Sequence, residues 1–289
     1  MGACVWVLNL DAETELANPG ARTTARAVEA RTAALVERLR DLLGPGGTVL
    51  SPETRAHGVA GRAWCPTPRA LALLARAGAC PPAAPPLDVL RRVNGRRFCA
   101  ELGQTLKGAR YVTTRAELME TVASRPGAWL LKRPFGFAGR GRLRIVPGAG
   151  SDAEERWIAA SLAGGEGLQV EPFVDRAGDF AVHGHLASTG ALVLGEPTVQ
   201  RCAPMGAWVG TDRAPEGALS PAERTALLAA AQHTATALAA AGYFGPFGLD
   251  AFRYRDARGE LRFNERCEIN ARYSMGWAVG MGDRRPDLL

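Results

Sequence analysis

The sequence predicts an α/β protein in which two α+β subdomains follow a smaller α/β unit. Three observations lead there. Strand-length and helix-length apolar patterns alternate over roughly the first 90 residues, as in a layered α/β unit. After Gly127 the texture turns to short apolar runs bounded by Gly, Pro or Asp, interrupted by helices with sharp start signals. Of 35 Lys plus Arg residues only Lys107 and Lys132 are lysine, and Lys132 stands between an apolar run and a glycine-rich loop.

Residues 4–10 form a buried-strand pattern, and Thr23 to Leu43 carries apolar positions at helical spacing. Gly44-Pro45-Gly46-Gly47 stops that helix, and Thr48-Val49-Leu50 begins a short strand. A helix from Pro68 to about Ala77 precedes a proline-rich stretch, of which Pro81 to Pro86 is the candidate linker. Arg91 to Leu102 and Glu117 to Ser124 read as helices. Strands are expected at Trp129 to Arg133, Arg142 to Val146, Leu168 to Val174, Phe180 to Leu186 and Ala191 to Leu194. Among them, Ser151 and Glu154 form a capping-box signature for a helix with Trp157, Ile158 and Leu162 inward. Ser220-Pro221-Ala222-Glu223 starts an alanine-rich helix that runs to about Gly242. Two strands close the pattern, Phe247 to Arg255 and Glu260 to Asn270, joined by Asp256-Ala257-Arg258-Gly259. No internal repeat is visible. The units so delimited span residues 1–90, 91–170 and 171–289.

A chain of 289 residues has ample length for a core. No apolar run reaches the roughly 18 residues of a membrane helix. MGACVWVLNLDAE lacks a basic leader, so no secretory signal is expected, and it lacks the Ser or Thr of a myristoylation signal. The cysteines, Cys4, Cys65, Cys80, Cys99, Cys202 and Cys267, form no CxxC pair or zinc-ligand spacing, which fits a reducing cytoplasm. The net charge of +6 would suit nucleic acid, but the arginines are scattered singly, with little aromatic interleaving. Neither nucleic acid nor a membrane is therefore expected as a partner, and a basic nucleic-acid-binding module is the distant alternative.

Lys132 heads WLLKRPFGFAGRGRLRI. A compact ammonium against a phosphate is a task the wider guanidinium fork cannot take over. Gly136, Gly139 and Gly141 free the following backbone to approach phosphate oxygens. The order strand, lysine, glycine loop, strand differs from the GxxxxGK[ST] loop, and no GxGxxG or kinase signature is present. Near the C-terminus, Glu268 and Asn270 are two apart and share one face of a strand. With Asp250 on the neighbouring strand they make a hard-oxygen set suited to Mg²⁺ bridging ATP phosphates, with Mn²⁺ the alternative ion. Arg272 would neutralise charge developing in phosphoryl transfer. His183 and His185 share a strand face with Asp179, but without a third ligand of fixed spacing they read as structural or as lining an acceptor pocket.

Together, Lys132 with its glycine loop, the stretch LQVEPFV from Leu168 to Val174, and Asp250…Glu268-x-Asn270-x-Arg272 resemble the ATP-grasp superfamily, over about Arg91 to Met281. Residues 1–90 would correspond to the pre-ATP-grasp domain. The resemblance implies an ADP-forming carboxylate–amine ligase that makes an acyl phosphate from ATP and then lets an amine or similar nucleophile displace phosphate. It implies that Lys132 contacts the α- and β-phosphates and that Gly139 belongs to the flap over them. Arg96 or Arg97, in VNGRRF, falls where the family keeps an earlier phosphate-contacting lysine, and Arg97 is taken as the contact. Glu171 and Val174 would lie in the hinge that holds adenine by backbone groups, with Asp179 accepting the ribose hydroxyls. Asp250, Glu268 and Asn270 would be the metal ligands and Arg272 a catalytic residue. Closing the 256–259 turn as a regular hairpin instead sets Asp250 opposite Glu265; Glu268 is preferred for its family spacing to Asn and Arg, and requires a bulge. Arg201, Trp208 and Ser274 lie where the family reads its carboxylate substrate. The small-molecule acid and amine stay unnamed, a homo-oligomer is compatible with this plan, and the alternative is a non-catalytic nucleotide-binding regulatory or scaffold protein of the same fold.

Overall fold

Three β-sheets carry the computed structural model, whose described residues are 3–19, 35–136, 141–202 and 208–288. In the first, β1 (Cys4–Val7) runs between β2 (Gly47–Val49) and β3 (Ala60–Ala63), all parallel. A central parallel strand is covered on both faces, which is why CVWV is apolar without alternation. Helix α1 (Ala12–Ala17) follows β1. A 3₁₀ turn, Glu37–Leu39, continues into α2 (Arg40–Leu43), which stops at Gly44 in a left-handed conformation, φ +72°. The earlier part of the helix expected from Thr23 lies outside the described residues through residue 34. Helix α3 (Pro68–Arg76) starts at Thr67, whose side chain accepts from the Ala70 amide. The sequence does not announce β3, because Ala-Gly-Arg-Ala has no β-branched or aromatic residue. Its glycine is needed for packing: a Cβ on Gly61 would sit 3.0 Å from the Cys80 carbonyl and from both Leu74 methyls.

The helix expected over Arg91 to Leu102 is two helices, α4 (Leu87–Asn94) and α5 (Arg96–Glu101), because Gly95 adopts an extended conformation between them. The second sheet has the order β4-β7-β5-β6, all antiparallel: β4 (Arg110–Val112), β5 (Trp129–Lys132), β6 (Arg142–Ile145) and β7 (Leu168–Pro172). Helices α6 (Arg115–Ala123) and α7 (Asp152–Leu162) cover one face, each opened by a capping box, Thr114 with Glu117 and Ser151 with Glu154. Their cores meet at Leu118, Trp129, Leu131, Ile158 and Val170. β7 pairs with β5 as far as Pro172, so the boundary expected at 170/171 falls inside a strand and the small sheet extends past it.

The large antiparallel sheet runs β11-β10-β8-β12-β13, with β9 on the free end of β8. Its strands are β8 (Asp175–Leu186), β9 (Leu192–Leu194), β10 (Thr198–Cys202), β11 (Trp208–Arg213), β12 (Gly245–Arg255) and β13 (Leu261–Asn270). Helix α8 (Pro221–Ala240) backs it, capped by Ser220 and Glu223 and tied to β12 by two Arg253–Glu223 contacts of 2.9 and 2.6 Å. β4, β10 and β11 escape the sequence reading because their strands are short and interspersed with charge. The loop closing β12 and β13 spans five residues rather than four. Asp256 accepts from the Arg258 and Glu260 amides, and Gly259 takes a positive φ.

One core joins the first unit to the large sheet, with Trp6, Leu42 and Trp64 packed in the same cluster as Phe247, Leu249 and Trp277. Tyr273 stands edge-on between Trp6 and Trp277, at 5.0 and 4.9 Å. Short helix α9 (Trp277–Met281) leads into a final turn, where Asp287 is buried among Arg285 (2.8 Å), Arg62 (3.9 Å) and the Tyr273 hydroxyl (3.2 Å). Replacing Asp287 by Ala strands buried guanidinium charge and should cost about 3 kcal/mol, read as a lowered denaturant midpoint at unchanged slope.

Candidate active site

Lys132 ends β5 at the mouth of the glycine-rich segment. In the ladder it stands opposite Gln169 on one side and Arg142 on the other, and Leu130 stands opposite Glu171. Cross-strand partners share a face, so Lys132, Arg142, Gln169 and Glu171 all project from the same side of the small sheet. The Lys132 ammonium pairs with Glu171 Oε1, and both side chains are only 5% exposed. The second oxygen of Glu171 is buried with no partner among the described residues. Of the two lysines, then, Lys107 is exposed and Lys132 is buried.

The large sheet supplies the opposite wall. Asp250 on β12 faces Glu268 on β13 and Ala181 on β8, and Gly248 lies between Asn270 and His183. The Asp250 carboxylate accepts from Asn270 Nδ2 (3.1 Å) and Gln200 Nε2 (2.9 Å). With its amide nitrogen so engaged, Asn270 keeps its oxygen as an acceptor. The register departs from a regular hairpin. Between the pairs Asp250–Glu268 and Phe252–Asn264, two positions along β12 correspond to four along β13. This irregularity sets Glu268 opposite Asp250, while Glu265 is exposed.

Two arginines join the walls at Glu268. Arg96 Nη1 lies 2.6 Å from Oε1 and Arg142 Nη2 lies 3.6 Å from Oε2. Burial opposes ionisation of Glu268, but Arg96, Arg142 and Lys132 overcome it and hold the carboxyl at about 2. Asp250 moves the other way, to about 6, because it is buried and faces the Glu268 charge; the amides of Gln200 and Asn270 only partly compensate. Arg97, the phosphate contact expected from sequence, is not part of this cluster. It is 65% exposed and pairs with Glu101 one turn on, whereas Arg96 shares the inner face of α5 with Cys99. Helix phase decides between the neighbours: 96 and 99 face inward, 97 and 101 outward.

Arg272 turns toward the first unit. Its Nε donates to Glu13 Oε1 at 2.8 Å, its second terminal nitrogen pairs with the same oxygen, and its guanidinium lies over Trp64. Glu13, Gln200 and Arg142 were absent from the expected set, in which Arg96 stood only as the alternative to Arg97; Glu13 meets Arg272 across 259 residues, Arg96 meets Glu268 across 172, and Gln200 comes from a strand no local pattern marks. Val174 lies in the β7–β8 hinge and packs with Leu106, Ala109, Phe252 and Cys267. Asp179 is half-buried on β8 and paired with Arg176, which stacks on Phe252 at 4.1 Å. Gly139 lies outside the described residues. Arg201 is exposed and paired with Asp212, and Trp208 Nε1 donates to Thr211 at 2.8 Å. Ser274 Oγ and His183 Nδ1 are both buried without partners among the described residues. His183 is held between Gly248, Gly276 and Gly280, and burial pushes its pKa down to about 3.

Two carboxylates facing each other on adjacent strands, one of them resisting ionisation because it is desolvated and faces the other's charge, are a pattern that a divalent cation relieves. Asp250, Glu268 and the Asn270 oxygen therefore fit Mg²⁺ chemically. Among the described residues no three His, Cys, Asp or Glu side chains converge as a metal site, so the amide oxygen is needed to complete the set. The gap bounded by Arg96, Gln169, Cys267 and Glu268 measures ≈ 10 Å³, room for about one water.

No family profile matches the chain, and no curated protein matches its sequence. Solved structures share its fold. The chain is similar to biotin carboxylase from Campylobacter jejuni, solved as a β-γ-ATP complex, with 14% identity and a TM-score of 0.57 over 96% of this chain and 61% of that one. D-alanyl-alanine synthetase A from Vibrio cholerae gives 11% identity and a TM-score of 0.53, over 93% of this chain and 88% of that one. N5-carboxyaminoimidazole ribonucleotide synthetase from Thermus thermophilus gives 19% and 0.52, over 93% and 71%. These are ATP-grasp enzymes, and the chain has the ATP-grasp fold.

The exchange of Arg97 for Arg96 has a direct check. Arg96→Met, which removes a buried partner of Glu268, should cost about 3 kcal/mol, and Arg97→Met less than about 0.5 kcal/mol, both read from urea unfolding. For His183, a folded pKa depressed below the ordinary histidine value means a ring that stays neutral down to about pH 5; an NMR titration of its Cε1 proton that moved between pH 6 and 7 (about the ordinary range) would contradict this.

Proposed function

We propose that this ATP-grasp chain is an ADP-forming ligase, which activates a small-molecule carboxylate as an acyl phosphate and transfers the acyl group to an amine or similar nucleophile. One observation carries the reading: Lys132, Arg142 and Glu171 on the small sheet face Asp250, Glu268 and Asn270 on the large one, with Arg96 and Arg142 spanning the gap. Such a pairing of cations with hard-oxygen donors suits a metal-bound polyphosphate.

In this reading Lys132 exchanges Glu171 for α- and β-phosphate oxygens, and Arg96 takes the role expected of Arg97. The apolar patch of Val174, Phe252 and Cys267 receives the base beside the hinge, whose backbone would bond adenine, and Asp179 receives the ribose hydroxyls. Asp250, Glu268 and Asn270 would hold Mg²⁺ or Mn²⁺, which supplies charge neutralisation at the polyphosphate. A carboxylate oxygen of the acid attacks the γ-phosphorus, the bond to the β,γ-bridging oxygen breaks, and ADP leaves. Arg272, which pairs with Glu13 and lies over Trp64, would have to leave Glu13 to stabilise charge on the transferred phosphoryl group. The amine then adds to the acyl carbon, phosphate departs with the bonding electrons, and the surplus amine proton is lost to solvent. Because the gap beside Glu268 holds about one water, nucleotide entry in this scheme requires the two walls to separate.

The proposed partners are the two small substrates, with no nucleic acid and no membrane. Among the described residues no helix is long and apolar enough to cross a membrane. A cytoplasmic location is part of the proposal and agrees with the free thiols Cys4, Cys65, Cys80, Cys99 and Cys267.

The deciding experiment is a pooled small-acid and amino-acid screen for ADP formation, with the condensed product read by mass spectrometry. Lys132→Ala should abolish acid-dependent ADP release, and Glu268→Gln should raise the Mg²⁺ concentration needed while leaving the fold intact. Wild-type turnover in either variant would refute the assignment. Calorimetric ATP binding without release under every acid and amine pair would instead indicate a nucleotide-binding protein without ligase turnover.

A further inference from the structure

Glu268 is held by two arginines that differ in how easily they can leave. Arg96 is 8% exposed and touches Oε1 at 2.6 Å. Arg142 is 29% exposed, and its Nη2 lies 3.6 Å from Oε2, beyond a hydrogen bond. Its Nε is buried with no partner among the described residues. Arg142 also stands directly opposite Lys132 in the β5–β6 ladder, so an anion reaching the Lys132 ammonium comes within reach of this guanidinium as well. A divalent ion at Glu268 competes with Arg142 for the same carboxylate oxygen, and the two cations repel each other. A polyphosphate reverses that conflict, because it offers the guanidinium a stronger, bidentate anion.

We propose, resting on the nucleotide reading above, that Arg142 is a positioning residue that makes divalent-ion binding depend on nucleotide. In the free protein Arg142 covers Glu268 Oε2 and keeps the ion out. When a polyphosphate enters, the guanidinium passes to its oxygens and the carboxylate is released to the ion. Ion and nucleotide then assist each other by equal factors, as linkage requires. Lys132 cannot perform this exchange, since its partner is Glu171 and not Glu268.

The test uses the full chain, with Mn²⁺ alone followed by electron paramagnetic resonance of the unbound ion, and ATP binding in the presence of Mn²⁺ followed by calorimetry. Arg142→Gln should bind Mn²⁺ about tenfold more tightly without nucleotide, and Mn²⁺-supported ATP binding should weaken by a similar factor. Arg142→Lys, which keeps the positive charge, should leave nucleotide-free Mn²⁺ affinity within about twofold of wild type. Adding Asp250→Asn to Arg142→Gln should erase the gain. A merely structural arginine would not tighten ion binding, so unchanged or weaker Mn²⁺ affinity in Arg142→Gln overturns the proposal, as does a gain that survives Asp250→Asn. If wild-type protein bound ATP with Mn²⁺ and only these shifts were missing, the Arg142 coupling alone would fall. If wild-type protein bound no ATP with Mn²⁺, the nucleotide reading itself would fall.

Discussion

The half-buried carboxylate of Glu268 sets how the two sheets meet. A lone carboxylate with this little exposure would be expelled or protonated, and two guanidiniums from the small-sheet side keep it charged. That requirement propagates backward through the chain. Arg96 can reach it only from the first turn of α5, and α5 starts there because Gly95 breaks the preceding helix. The Arg96 amide then donates to Pro134 O at 3.1 Å, which ties the start of α5 to the residue pair following Lys132. The cation that opens the glycine segment and the cation that answers Glu268 are thus fixed by one short stretch of backbone.

Much of the frame was legible because local rules suffice for it. Ser151 with Glu154 and Ser220 with Pro221 and Glu223 name helix starts by side chains that satisfy orphan amides, and both capping boxes formed. The hairpin partners Asp250 and Glu268 were also readable, although the sequence alone offered Glu265 as a rival. What escaped depends on contacts distant in the chain. The choice of Arg96 over Arg97 turns on helix phase, which could have been inferred from Cys99 and Glu101 only if the break at Gly95 had been placed. Glu13 meets Arg272 across the whole fold, and no local pattern announces it. β10 carries Gln200 to Asp250, but Thr-Val-Gln-Arg-Cys has neither clean alternation nor an apolar run.

The preference for arginine shapes how the molecule is held together. Planar guanidiniums lie over Trp64, Trp157, Phe180 and Phe252, and bind backbone carbonyls at a helix end, as Arg285 does at Leu42 (2.7 Å). Such contacts work half-exposed, where an ammonium would stay with water. The first unit is fastened in this way: Arg272 to Glu13, Arg62 to Asp287, and Arg285 to the Asp41 and Leu42 carbonyls. It shares its core with the large sheet, so it behaves as a third wall and not as an appended module.

The surplus residues of β13 have a bearing on how this hairpin tolerates change in length. Because the excess over β12 is an even number, side chains above and below it keep the same orientation. The extra length between Asn264 and Glu268 is tied down, since Asn264 and Arg266 are buried and Arg266 donates to the Gly103 carbonyl at 2.9 Å. Loss of a single residue within that segment would leave an odd count and rotate the Glu268–Asn270 pair out of the cleft.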